Sequence, residues 1–187
     1  MKMTFRWYGP DDPVTLKNIG QIPGMSGVVT AVYTVPVGEV WPVEDIAALK
    51  SAANSHGLEM EVIESVPVHE DIKLGRGDYI RYIENYKENI RRLSKQGVKC
   101  ICYNFMPVFD WTRSQLDHEL PDGSTALVYY MEDVKALDPT KLALPGWDAS
   151  YSPEEMKGLI DSYKKLGEEG LWKNLEFFIK EVIPVAA

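Results

Sequence analysis

Four short apolar stretches, at residues 3–8, 28–34, 58–66 and 98–106, recur along the first half of the chain, each followed by sequence of helical character. Strands alternating with helices predict right-handed βαβ units and a parallel sheet. Gly57 in Ser55-His56-Gly57-Leu58 and Gly97 in Lys95-Gln96-Gly97-Val98 stand where a helix would end in a left-handed cap immediately before a strand. Between them Tyr79, Ile83, Tyr86, Ile90 and Leu93 recur at helical steps, which draws one apolar stripe along the third helix. Arg81, Glu84, Lys87, Glu88 and Arg91 fall mostly outside that stripe, so it reads as a packing face.

The C-terminal part has its own punctuation. Ser152-Pro153-Glu154-Glu155 is a capping box, with the serine and the second glutamate able to satisfy each other's backbone N–H, and proline suited to the first turn. Met156, Leu159, Ile160, Tyr163 and Leu166 continue at helical spacing, and after a break at residues 167–170 a further helix is expected over 171–185, with Leu175, Phe178, Ile179 and Val182 inward. Residues 108–151 show no clear periodicity and read as a long loop excursion, of the kind that is usually functional or mobile.

With 187 residues and 45% apolar content the chain can bury a sizeable core in one domain. No run approaches the roughly 20 apolar residues of a membrane span, and the first residues lack a leader pattern, so a cytoplasmic address is expected. Only Cys100 and Cys102 are present, two apart on one strand and poorly placed for a mutual disulfide, which fits a reducing compartment; both read as small buried apolar groups. A net charge of −8 argues against nucleic acid as a partner. An anionic substrate would need a local positive site made by a few arginines.

In parallel α/β proteins chemistry gathers where strands run into their following loops. The first strand ends in Arg6-Trp7-Tyr8-Gly9-Pro10, with Asp11-Asp12-Pro13 reading as a cap and first helical turn. Arg6 reads equally as a strand-end ion-pair residue or a carboxylate binder. Trp7, Trp41 and Trp111 are packing residues by default, although their loop positions also suit substrate walls. Asn104, between Tyr103 and Phe105 at the end of an apolar strand, would be costly to bury unpaired and suggests substrate contact. Arg113 offers a planar fork for a carboxylate, or a surface ion pair. His69, beside Glu70 and Asp71, is an outside candidate for an acid or base that those carboxylates would keep protonated, or a solvated loop residue. His56, just before Gly57, reads as a residue that satisfies a helix end, and His118 carries no clear signal.

The blocks Arg6-Trp7-Tyr8-Gly9-Pro10, Gly38-Glu39-Val40-Trp41, Glu64-Ser65-Val66-Pro67, His69-Glu70-Asp71-Ile72-Lys73, Cys102-Tyr103-Asn104-Phe105-Met106-Pro107 and Asp110-Trp111-Thr112-Arg113, together with Gly27-Val28-Val29-Thr30-Ala31 and Leu120-Pro121-Asp122-Gly123-Ser124, closely resemble the mannonate dehydratase family. The resemblance implies a (β/α)8 TIM barrel of the xylose-isomerase-like superfamily, of which residues 1–187 would be the N-terminal half, roughly the first four β/α units of one domain. It implies dehydration of D-mannonate to 2-keto-3-deoxy-D-gluconate in hexuronate breakdown, with Mn2+ or Fe2+ as cofactor. It places the metal ligands on later strands, outside this chain, and leaves Arg6, Trp7, Tyr8, Asn104, Trp111 and Arg113 as substrate contacts. The expected partner is a small sugar acid, and the full-length protein is expected to be a homo-oligomer. A metal-dependent sugar isomerase or epimerase on the same fold, or a non-catalytic half-barrel, are the alternatives.

Overall fold

Strands β1 (Met3–Arg6), β2 (Met25–Thr30), β3 (Glu59–Ile63) and β4 (Cys100–Ile101) form one parallel sheet in the order β1-β2-β3-β4. The computed structural model describes residues 1–108, 113–136 and 151–187. All four expected strands are present, each shorter than its apolar run, because the final residues of every run turn away into the loops. Backbone bonds carry the ladder past the strand ends: Trp7 N–H to Val29 O at 2.9 Å, Glu64 N–H to Thr30 O at 2.9 Å and Cys102 N–H to Ile63 O at 2.8 Å.

The connections are helices α1 (Leu16–Gly20), α2 (Val43–Asn54), α3 (Glu70–Leu74) and α4 (Tyr79–Lys95). Gly57 and Gly97 hold φ of 72° and 84°, the left-handed values that stop a helix and that side chains resist. The first loop departs from expectation. Asp12 caps no helix; its carboxylate accepts the Tyr8 N–H at 2.7 Å and the Val14 N–H at 2.8 Å, tying the loop to itself, and α1 starts later with Thr15 as its cap.

Two compact units divide the chain: Met1–Phe105 with Trp172–Ala187, and Met106–Leu171. In the first, Met60, Ile63, Ile83, Tyr86, Leu93 and Phe178 share one buried cluster, as the helical stripe predicts. Phe178 is fully buried, with the Tyr86 ring edge-on at 5.0 Å. Burial pushes the Tyr86 phenol far above its ordinary range. Lys87, expected outside, is also buried, and its charge is met by Glu84 and Glu181. Trp7, Leu16, Ile19, Val28, Ala53 and Leu58 make a second cluster.

Within residues 108–151, expected as a long loop excursion without periodicity, the described residues of the second unit include regular elements. Strands β5 (Gln115–Glu119) and β6 (Thr125–Val128) pair antiparallel, closed by a turn in which Asp122 accepts from the Ser124 N–H and hydroxyl, and α5 (Met131–Ala136) follows. Helix α6 (Pro153–Ala186) opens on the expected capping box, Ser152 N–H to Glu155 at 2.8 Å and Glu155 N–H to Ser152 Oγ at 3.3 Å, and is interrupted at Gly167, where φ is 71°. Among the described residues no helix is long and apolar enough to cross a membrane.

Candidate functional site

Strand alternation sorts the sheet residues onto two faces. Val28 pairs with Met60 and Thr30 with Ile63, and all four are buried. Arg6 pairs with Val29, and Val29 with Val62, on the opposite and less covered face, to which Glu64 and Cys102 also belong by alternation. That face is where polar chemistry accumulates, and it does so at the C-terminal ends of the strands.

Arg6 is the last residue of β1 and is half-buried, with its guanidinium carbon 4.8 Å from the centre of the Tyr8 ring. Its Nη1 is buried and has no hydrogen-bond partner among the described residues. A desolvated guanidinium nitrogen without an acceptor is costly, and a carboxylate is the ligand that best relieves it. Tyr8 is exposed, and its ring lies 6.3 Å from that of Tyr33 on the loop after β2. Burial raises the Tyr33 phenol above its ordinary value, and the Arg6 charge opposes that rise. The Cys102 thiol is likewise raised, first by burial and then by Cys100 and Glu64. Both cysteines are free; Cys100 is exposed and Cys102 half-buried, so neither is the buried apolar group the sequence suggests.

Trp7 is 3% exposed and packs in the second core cluster, on the side of the sheet away from Arg6. Asn104 is half-buried just beyond β4. Arg113 is half-buried in the second unit, immediately before the hairpin, and Trp111 lies outside the described residues. His56 meets the carbonyl of Ala52 at the end of α2 through Nδ1 at 3.0 Å, the helix-end role expected of it.

His69 differs most from expectation. It caps α3, a five-residue helix, by accepting the Asp71 N–H at Nδ1, and its ring stacks on Tyr82 with centroids 3.8 Å apart. Gly38 packs so closely that an added Cβ would lie 2.6 Å from the Tyr82 ring and 3.1 Å from His69. Burial lowers the His69 pKa, and this outweighs the opposing pull of Asp71 and Glu70, so the acidic neighbours do not keep it protonated. Glu64 and Tyr33 were not singled out as site residues in the sequence. Their available signal is position, one immediately after β3 and the other three residues after β2.

Among the described residues no group of three or more His, Cys, Asp or Glu side chains could hold a metal ion. Those residues therefore do not by themselves fit a divalent-metal centre.

A parallel α/β sheet carrying at the carboxyl ends of its strands a half-buried arginine, one of whose nitrogens has no hydrogen-bond partner among the described residues, defines a class: proteins that take a small ligand at the strand ends. Comparison with known proteins narrows this. The family model for D-mannonate dehydratase (UxuA) matches residues 1–187, and the chain belongs to that family. It is 58% identical to a mannonate dehydratase of Streptococcus uberis over all of this chain and 54% of that protein, and 58% identical to one of Streptococcus suis, covering 52% of it. The crystal structure of mannonate dehydratase from Streptococcus suis serotype2 superposes with a TM-score of 0.88 at 54% identity, over all of this chain and 50% of that one. The chain spans about half the length of the curated relatives it matches.

Proposed function

We propose that this chain is the N-terminal half of a mannonate dehydratase, which removes water from D-mannonate to give 2-keto-3-deoxy-D-gluconate in hexuronate breakdown. We further propose that its sheet is half of a (β/α)8 barrel. In support, β1 and β4 each pair with one neighbour only among the described residues, and closing a barrel would pair both. The sugar acid is the partner this reading implies; a homo-oligomeric, cytoplasmic enzyme belongs to the same proposal. So does a requirement for Mn2+ or Fe2+, whose ligands would come from outside the described residues.

The chemistry asks for one thing this chain carries. Elimination takes a proton from the carbon beside the carboxylate and hydroxide from the next carbon, and the resulting enol becomes the ketone. As the proton leaves, negative charge builds on the carboxylate oxygens. A fixed cation at those oxygens stabilises that charge as it develops. The buried, unpartnered Nη1 of Arg6 is the observation that carries the proposal. Arg6 would pair with the carboxylate, Tyr8 would hold the guanidinium plane, and Asn104, Arg113 and Trp111 are proposed to contact the rest of the substrate.

The test is Arg6→Ala and Arg6→Lys in the full-length enzyme that contains this chain. Losing a charge-assisted contact should lower kcat/KM by about 1.5–3 kcal/mol in transition-state terms, with Lys recovering part of it. Unchanged kcat/KM in Arg6→Ala would remove Arg6 from the site.

A further inference from the structure

Glu64 follows the last residue of β3 and is exposed, on the same open face of the sheet as Arg6. Backbone bonds on both sides fix its place: its own N–H meets Thr30 O at 2.9 Å, and the Cys102 N–H meets Ile63 O at 2.8 Å. These bonds carry the register of Arg6 with Val29, Val29 with Val62 and Val62 with Cys100 one step past the strand ends. Glu64 therefore lies beside Cys102 and, two strands away, level with Tyr8. The Arg6 guanidinium is drawn to that same level, since its carbon rests 4.8 Å from the centre of the Tyr8 ring. Cation and carboxylate stand on strands about 10 Å apart, two spacings of ~4.8 Å. Among the described residues the Glu64 carboxylate has no hydrogen bond or ion pair.

A carboxylate on an open face is hydrated. Closing the sheet into the barrel proposed above turns that face inward, and a carboxylate taken from water there needs donors. A sugar acid brings them: beyond the carboxylate that Arg6 holds, it is a chain of hydroxyls, each an O–H donor suited to an acceptor-only group. Five C–C bonds of about 1.5 Å give that chain an extended length of ~6 Å. A hydrogen bond of roughly 2.7–3 Å at each end brings its reach to the separation of β1 and β3. We propose that Glu64 is a specificity-determining residue of this site, accepting a hydrogen bond from a hydroxyl at the far end of the acid whose carboxylate Arg6 pairs with. This rests on the assignment of Arg6 made above. The two residues then select for length and hydroxylation as well as for charge.

The test uses the full-length enzyme with Glu64→Ala, Glu64→Gln and Arg6→Ala. Its readouts are kinetics on D-mannonate, bound manganese or iron, and inhibition by two acids: D-gluconate, the epimer beside the carboxylate, and glycolate, which lacks the polyol chain. Glu64→Ala should raise the mannonate KM and the gluconate inhibition constant about tenfold, the size of one charge-assisted hydrogen bond. Its kcat and its glycolate constant should stay within about twofold of wild type, the latter also showing that the site is intact. Glu64→Gln, which keeps one acceptor oxygen, should fall between, and Arg6→Ala should raise both inhibition constants. A gluconate constant unmoved by Glu64→Ala but raised by Arg6→Ala would overturn the Glu64 proposal and leave Arg6 standing. Equal rises for gluconate and glycolate would put Glu64 at the carboxylate end and overturn it as well. So would a fall in kcat alone or a loss of bound metal, which would make Glu64 a catalytic or metal-holding group. Constants unmoved by Arg6→Ala would overturn the Arg6 assignment and this proposal with it.

Discussion

Asp71 donates its backbone N–H to Nδ1 of His69 across 3.1 Å, which commits the imidazole as an acceptor at the start of a helix. Protonation at Nδ1 would abolish that bond. His69→Ala should therefore cost about 0.5–2 kcal/mol of stability, and His69→Asn, which keeps a capping oxygen, should cost less. The pH dependence has a definite sign. The folded pKa lies below the ordinary 6.5, so the unfolded chain binds more protons between the two values, and stability rises with pH there. The contribution of His69 is complete above its unfolded pKa and is lost as pH falls through the folded one. Melting temperatures of wild type and His69→Asn, followed from about pH 7.5 down to 5, should converge at the acid end. A constant gap would show that His69 does not titrate as the cap.

Asn89, 2% exposed, accepts the Trp41 N–H at 2.8 Å and donates to Glu39 O at 3.2 Å, fastening the loop after β2 to α4. Asn89→Leu keeps the volume and removes both bonds, leaving two loop groups unsatisfied. A loss of about 1–3 kcal/mol is expected in denaturant unfolding. A stability equal to wild type would mean that the loop finds other partners.

Arg113 supplies a second planar fork, in the unit that carries the hairpin. If it contacts the substrate, Arg113→Ala in the full-length enzyme should lower kcat/KM by about 1.5–3 kcal/mol. Retained kcat/KM would assign it to a structural pair instead.

The β5–β6 hairpin is a two-stranded ribbon, a form that is marginal unless something packs on it. Backbone amides of residues 115–128 should gain protection from hydrogen exchange when a sugar-acid inhibitor is bound, if this segment orders over substrate. Equal protection with and without inhibitor would make it a fixed structural insertion.

How far the fold was legible depended on whether burial followed the local period. The stripe Tyr79, Ile83, Tyr86, Ile90 and Leu93 and the stops at Gly57 and Gly97 were readable because core packing and chain conformation demanded those residues there. The hairpin was not, because its pattern is inverted: Leu116 and Leu127 are exposed while Gln115 and Ala126 are half-buried, so hydrophobicity does not mark the inner face. Helix α3 is too short to show a period, so in the sequence Glu70 and Asp71, acidic residues of its first turn, stand out only as neighbours of His69. For Arg6 the sequence could offer position alone. The choice between an ion-pair residue and a ligand group turns on the partners of Nη1, which is buried without a hydrogen-bond partner among the described residues, a property of packing that sequence position does not carry.

The central claim is tested most directly by the product made from D-mannonate by the full-length enzyme, compared between wild type and Arg6→Ala. The account predicts a 2-keto-3-deoxy acid that has lost one water, formed by wild type and strongly reduced in the variant. A product of unchanged mass, as an isomerase or epimerase would give, or no consumption of mannonate at all, would contradict it.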